Sequence, residues 1–168
     1  MDAPTAARAL ATSLEEYGDI PGLWALGRAS AYLLRGDTSR ARVWADTAVR
    51  HLAPVAARAD ANSYLFGALA AAQVFAGRET AAMVSANRAA SAFRREMGVE
   101  RGDTYQSGFF SHASIAALAG ARDSALTWLR EARGQPSLNT PAAIRLDPSF
   151  ASLRGDPRFE ALLVVPPR

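Results

Sequence analysis

Few side chains in this sequence could act as a catalytic base or a metal ligand, and the first to consider are its two histidines, His51 and His112. Zinc-binding histidines on a helix usually have a second ligand three or four residues away, and neither histidine has one. Ser111 precedes His112, but adjacent residues of a helix point in different directions and do not form a nucleophile–base pair. We expect His51 at a helix end, where a cation suits the helix dipole, and His112 near a packing face.

The acidic and basic residues likewise do not form a recognisable catalytic motif. Glu15 with Glu16, and Glu100 with Asp103, lie at predicted helix ends, where capping and the helix dipole account for them. All nineteen basic residues are arginine, so the chain lacks the lysine of a phosphate-binding loop or a protein kinase. The sequence therefore predicts no enzyme activity, no bound metal and no cofactor.

The composition is that of a globular, alanine-rich chain. Its 168 residues are 49% hydrophobic and 21% charged, which is enough to bury a core. Alanine has the highest helix propensity and lets helices approach closely. Sixteen carboxylates are interleaved with the arginines and leave a net charge of +3, whereas nucleic-acid binders concentrate basic residues on one face. We therefore predict no nucleic-acid partner.

No segment has the pattern of a membrane span or a secretion signal. The longest apolar run, residues 64–76, is interrupted by Gln73 and is shorter than the roughly 20 residues that a bilayer requires. Residues 1–17 include acidic side chains and lack the apolar centre of a signal peptide. We expect a cytoplasmic protein without membrane insertion that is a monomer or a weak homo-oligomer.

One pattern occurs three times along the chain. Gly36, Gly77 and Gly120 each end an apolar run, and small residues follow five and twelve positions later on one helix face. The glycines are 41 and 43 residues apart, a spacing typical of helix pairs that stack because one pair alone cannot bury its apolar face. Strand patterns are nearly absent. We predict an all-α solenoid of about three helical hairpins.

Two copies of an Asp-Pro motif occur near the end of the sequence. They read Asp147-Pro-Ser-Phe150-Ala-Ser-Leu153 and Asp156-Pro-Arg-Phe159-Glu-Ala-Leu162. Aspartate is favoured as a helix N-cap and proline at the first helical position, so each motif predicts a short helix. We expect this tail to fold back over the last hairpin, with its phenylalanine rings near Trp128 and Leu129, because turn formers between residues 134 and 140 allow the chain to reverse.

The hairpins resemble tetratricopeptide repeats, in which a tyrosine late in the first helix precedes a Gly-Asp turn and small residues in the second helix. The matching residues of the first hairpin are Tyr32, Gly36, Asp37, Ala41 and Ala48. Trp24 and Gly27 lie near the family's Trp and Leu-Gly positions but out of register, and the repeats exceed the usual 34 residues. The tail is similar to the closing segment of tetratricopeptide regions behind bacterial serine/threonine kinase, TolB-like propeller or DNA-binding domains.

The resemblance implies one right-handed, tetratricopeptide-like domain over residues 1–168, either the C-terminal part of a larger bacterial signalling protein or a free-standing relative. The N-terminal helix either takes the place of a preceding repeat's second helix or caps the array. Pro54 is expected to begin the second hairpin. The predicted segments are an N-terminal helix over 1–18, hairpins over 20–53, 54–97 and 103–133, and a helical C-terminal cap over 140–163.

The resemblance also implies a non-catalytic protein–protein interaction or scaffolding module. In such arrays the first helices of the hairpins line a concave groove, and an apolar groove suits a peptide or an amphipathic helix. The candidate contacts are Ser30, Tyr64, Ser107, Phe110, His112 and Ser114. The alternative is a helical small-molecule-binding or catalytic domain with a pocket near Tyr64, Phe110 and His112.

Overall fold

The computed structural model describes residues 22–97, 105–133 and 140–164 of the chain, with the side chains of residues 22–95, 112–132 and 140–164. Throughout these ranges the regular structure is helical and no β-strand occurs, so the predicted all-α class is confirmed. The predicted N-terminal helix over residues 1–18 lies outside the described residues. The described elements are α1 (Leu23–Leu34), α2 (Thr38–Ala56), α3 (Ser63–Phe75), α4 (Glu79–Met97), α5 (Tyr105–Leu118), α6 (Arg122–Arg133), α7 (Pro141–Leu146), a 3₁₀ helix (Pro148–Leu153) and α8 (Pro157–Leu162).

The chain divides into two compact units, Met1–Ala89 and Ala90–Arg168. In the first unit α1 packs against α2 and α3, and α2 also packs against α3. In the second unit α5 packs against α6, the 3₁₀ helix packs against α5, and α8 packs against α6. Each unit therefore has at least one pair of long helices joined by a short turn.

Three turns have the same backbone geometry. Gly36, Gly77 and Gly120 have φ angles of 75°, 74° and 74°, a left-handed conformation that glycine adopts without the steric cost of a Cβ atom. The residue after each glycine donates its amide hydrogen to the carbonyl five residues earlier at 2.8–2.9 Å: Asp37 to Tyr32, Arg78 to Gln73 and Ala121 to Ala116. This is the hydrogen bond of a Schellman motif, which satisfies a carbonyl left over at the helix end. The glycines therefore end the helices as predicted.

The small residues that follow these turns are buried. Ala132 is 9% exposed, and the other five have no exposed surface: Ala41, Ala48, Ala82, Ala89 and Ala125. Small buried side chains on a helix face allow a neighbouring helix to approach closely, because interiors are packed to the density of organic crystals. The predicted small-residue face therefore lies in the interior.

Replacing Ala125 with leucine is expected to lower the free energy of unfolding by about 1–3 kcal/mol. Ala125 has no exposed surface on α6, so the added carbons must displace neighbouring side chains or backbone. The same substitution at the exposed Ala142 is the matched control and should leave stability nearly unchanged. Urea unfolding compares the two variants, and equal midpoints would show that α6 has room at this position.

The prediction that Pro54 begins a helix is wrong. Pro54 lies in the last turns of α2, which continues to Ala56. A proline has no backbone N–H and so cannot donate a hydrogen bond to the carbonyl four residues earlier. The loss destabilises a helix little in its last turns, where few backbone hydrogen bonds follow. The next helix begins at Ser63, where the Asn62 side chain accepts a hydrogen bond from the Leu65 amide at 3.0 Å.

The tail folds back onto α5 and α6, as predicted. Phe150 and Phe159 are fully buried with ring centroids 6.1 Å apart. Two expected details differ: the first motif forms a 3₁₀ helix, and Leu162 is only half-buried while Leu163 is 5% exposed. The second difference arises because α8 ends at Leu162 and the turn that follows directs the next side chain inward.

Candidate functional site

His112 lies in the interior of the second unit. It is 3% exposed, and its ring centroid lies 5.6 Å from that of Trp128 and 6.4 Å from that of Phe93. Burial, together with the nearby Arg94 guanidinium, lowers the pKa of His112 to about 4, because a low-dielectric surrounding disfavours the charged imidazole. At neutral pH the ring is therefore uncharged and packs among aromatic side chains.

The other predicted contacts have different environments. Tyr64, in the first turn of α3, is 52% exposed. Ser30 is half-buried, and its hydroxyl donates to the carbonyl of Leu26 in its own helix at 3.1 Å. Ser114 is also half-buried, whereas the side chains of Ser107 and Phe110 lie outside the described residues. Of the six candidates, the structure thus shows one well-exposed side chain, Tyr64, in the first unit.

A strip of half-buried residues runs along α1 and α3, which pack against each other. Its members stand ten, six and three residues before their turn glycine in each helix, so they occupy equivalent repeat positions. We call them the α1/α3 strip: Leu26, Ser30 and Leu33 on α1, and Gly67, Ala71 and Val74 on α3. Ser114 of α5 stands at the same repeat position as Ser30 and Ala71 and is likewise half-buried. Two of the predicted groove contacts, Ser30 and Ser114, are therefore partly accessible in the described structure.

A second surface cluster, which was not predicted from the sequence, joins α1 and α2. The rings of Trp24 and Trp44 meet edge to face, with centroids 5.3 Å apart and planes at 72°. The guanidinium carbon of Arg28 lies 5.0 Å from the centre of the Trp44 ring, which is a cation–π contact. Trp24 is 39% exposed and Arg28 is exposed. The signal available in the sequence was the four-residue spacing of Trp24 and Arg28, which places both on one helix face.

An open cavity lies at the start of α6 and is lined by Gly120, Ala121, Arg122, Asp123, Ser124 and Arg158. Its two cations are engaged by carboxylates: Arg158 lies 2.7 Å from Asp123 and 3.0 Å from Asp156, and Arg122 lies 3.5 Å from Asp156. Hydrogen bonds from Arg158 lower the pKa of Asp156 to about 2. These ion pairs connect α8 to the beginning of α6, so the cavity wall is part of the attachment of the tail.

Among the residues that the structure describes, no three His, Asp or Glu side chains are grouped closely enough to hold a metal ion. The described helices also include none with the length and apolar content required to cross a membrane. Comparisons with family models, curated proteins and solved structures give no match. The class that the structure defines is an all-α protein with repeated turns, and the tetratricopeptide resemblance stays a prediction.

Proposed function

We propose that this chain is a non-catalytic interaction module, a tetratricopeptide-like hairpin solenoid that binds a peptide or an amphipathic helix along the α1/α3 strip. The observation that supports it best is the threefold occurrence of one turn, with matching φ angles, matching hydrogen bonds and matching buried alanines. Stacked helix pairs place equivalent residues side by side along one surface, which is how repeat proteins form extended binding sites.

The chemistry of the strip suits an apolar ligand face. Leu26, Leu33 and Val74 offer half-buried aliphatic surface, and Tyr64 in the same helix as Val74 is 52% exposed. Amphipathic helices bind by inserting apolar side chains between such residues. Tyrosine is enriched among the residues that dominate binding energy, because it buries a large ring and still has a hydroxyl for a polar contact. We therefore assign Tyr64 as the main contact.

The catalytic or small-molecule alternative has less support. A general base must come within hydrogen-bonding reach of its substrate, and His112 is 3% exposed with Trp128 and Phe93 against its ring.

The Asp-Pro tail, which is similar to the closing segments of bacterial signalling proteins, is packed on α5 and α6. Its similarity supports a docking or scaffolding role in the cytoplasm for the module as a whole.

The test is to select peptides from a displayed library of helical and extended sequences against the full chain, and to measure their dissociation constants by fluorescence polarisation. Tyr64→Ala is expected to weaken binding by about tenfold, or about 1.4 kcal/mol. Val84→Ala is the matched control, because Val84 is 53% exposed but lies on α4, which contributes no residue to the strip. Peptides that bind both variants as tightly as the unmodified chain would contradict the assignment of this strip.

A further inference from the structure

Gly67 stands in the interior of α3, where glycine is an unfavourable residue. Helix α3 runs from Ser63 to Phe75, and Gly67 is its fifth residue. Glycine has a lower helix propensity than every other residue except proline, because it loses the most backbone freedom on folding. Gly67 therefore makes α3 less stable than an alanine at the same position would.

The reasons that require glycine elsewhere in the chain do not apply to Gly67. Gly77 has a φ angle of 74°, and a Cβ atom on Gly22 would lie 2.9 Å from the Cβ atom of His51. Gly67 is α-helical, and a Cβ atom on it would meet no atom of the described residues within 4 Å, apart from its chain neighbours and the nearby backbone of α3. The described structure thus has open space where another residue would place its side chain.

This open space lies on the α1/α3 strip, between two larger side chains of α3. Tyr64, Gly67, Ala71 and Val74 are spaced three or four residues apart and so share one helix face. Tyr64 is 52% exposed, and Ala71 and Val74 are half-buried. At the repeat position of Gly67, α1 has Leu26. The face of α3 is therefore low at Gly67 and Ala71 and higher on both sides, and we call this depression the Gly67 notch.

Helix α3 brings no charge to the notch. Its sequence contains no acidic or basic residue and reads SYLFGALAAAQVF. A ligand that inserted a charged group there would lose the hydration of that group without gaining an ion pair from α3. The part of a ligand that enters the notch must therefore be apolar.

We propose, on the basis of the function proposed above, that Gly67 is the specificity-determining residue of the α1/α3 strip and that its notch receives one leucine or phenylalanine from an amphipathic helix of a partner protein. Helices pack by placing side chains of one into gaps between side chains of the other, and the notch enlarges one such gap. A bulky side chain that fills a pocket is a common anchor of binding, because it removes a large apolar surface from water. A small ligand residue would leave a void between Tyr64 and Val74 and lose those packing contacts.

The first test separates an open notch from one that another segment of this chain fills. Gly67→Ala should raise the melting temperature of the full chain by about 2–4 °C, because alanine favours the helix and its methyl group meets open space. A lower melting temperature would show that a segment of the same chain packs against Gly67, and that result would overturn the proposal.

The second test identifies the ligand residue that the notch prefers. The probes are displayed helices of about 20 residues, in which one face varies among alanine, serine, leucine and phenylalanine, selected against the full chain. The selected helices should share a leucine or phenylalanine at one position, and replacing it with alanine should weaken binding at least tenfold in fluorescence polarisation. Selected helices that bind equally well after this replacement would overturn the proposal.

Filling the notch should reverse this preference. Gly67→Leu should weaken binding of the selected helix at least tenfold, and should bind the alanine version of that helix at least as tightly as the unmodified chain does. Misfolding cannot weaken the binding of one helix and preserve that of the other. Asn87→Leu adds the same side chain at an exposed position of α4 and is the matched control, which should bind both helices like the unmodified chain.

Failure of the notch and failure of the proposed function are distinguishable. If Tyr64→Ala weakens binding of the selected helix but Gly67→Leu does not, the α1/α3 strip binds a ligand and only the role of Gly67 is overturned. If neither substitution weakens binding, both proposals are overturned. A dimer in sedimentation velocity that Gly67→Leu dissociates would identify a second copy of the chain as the occupant, and would overturn the assignment of a partner helix.

Discussion

Replacing Phe150 with alanine is expected to lower the free energy of unfolding by about 3–5 kcal/mol. The ring is fully buried in the 3₁₀ helix, which packs against α5, and the Phe159 ring lies 6.1 Å away. Truncation removes the apolar transfer energy of the ring and leaves a cavity that helices on several sides cannot fill by moving together. Urea unfolding followed by far-ultraviolet circular dichroism measures the change.

The effect should be large because the tail is part of the core of the second unit. Phe150, Leu153 and Phe159 are fully buried although the segment is too short to have a core of its own. Polar contacts add to the attachment: the hydroxyl of Ser152 donates to the carbonyl of Ala117 at 3.4 Å. The open end of a repeat array has an uncovered apolar face, and a short amphipathic segment can close it. The packing of the tail is consistent with this capping role.

The matched control is Leu146→Ala in α7, where the side chain is 78% exposed and its loss should change stability little. Deleting residues 147–168 should expose the tail-facing surfaces of α5 and α6 and cause aggregation, which light scattering detects. A truncated chain that stays monomeric with an unchanged melting temperature would show instead that the tail is a free docking motif.

The features that the sequence predicts well are those set by nearby residues. Gly36 and Gly120 end helices because the left-handed turn they form requires only its own few residues and suits glycine in particular. Asp156 caps α8 for the same local reason, since its side chain accepts a hydrogen bond from the Arg158 amide at 2.9 Å. Ala41 and Ala125 could be placed in the interior because helical periodicity alone defines which residues share a face.

The features that the sequence did not predict depend on contacts between distant residues. A proline is favoured at a helix start, but Pro54 lies near the end of α2, because Asn62 provides the next N-cap eight residues later. The cluster of Trp24, Arg28 and Trp44 was not predicted because it forms only where α1 packs against α2, twenty residues apart for the two tryptophans. His112 was expected near a packing face and is buried, but its particular neighbours, such as Phe93 of another helix, could not be predicted from residues close to it in the sequence.

Stability is expected to fall by up to about 3 kcal/mol as the pH is lowered from 6.5 to 4, and His112 is the cause. Its pKa is lowered from the ordinary value of 6.5 to about 4 in the folded chain. Between these values the unfolded chain binds a proton at this imidazole and the folded chain does not, so added protons favour unfolding. Above pH 6.5 the imidazole is neutral in both the folded and the unfolded chain, and below pH 4 it is protonated in both. Outside this window His112 therefore does not change the dependence of the unfolding free energy on pH.

The groups around His112 explain the direction of this shift. The ring is packed against Phe93 and Trp128, and the positive charge of Arg94 disfavours a second positive charge on the imidazole. Arg94 lies 2.9 Å from Glu131 of α6, and that carboxylate partly offsets the cation. Burial is therefore the larger cause, and the pH dependence should survive added salt, because salt screens exposed charges and not the desolvation of a buried ring.

Two variants separate this histidine from every other titrating group. His112→Leu should abolish the slope of unfolding free energy against pH between 6.5 and 4. Leucine is the residue at the matching position of the preceding hairpin, where Leu69 stands eight residues before Gly77 as His112 stands eight before Gly120. His51→Gln removes an exposed imidazole and should leave this slope unchanged. Asp156 acts in a lower window, because a carboxyl with its pKa lowered from 3.8 to about 2 loses its stabilising effect only as the pH falls through those values. A slope between pH 6.5 and 4 that persists in His112→Leu would show that another group binds the proton and that His112 is accessible to water in the folded chain.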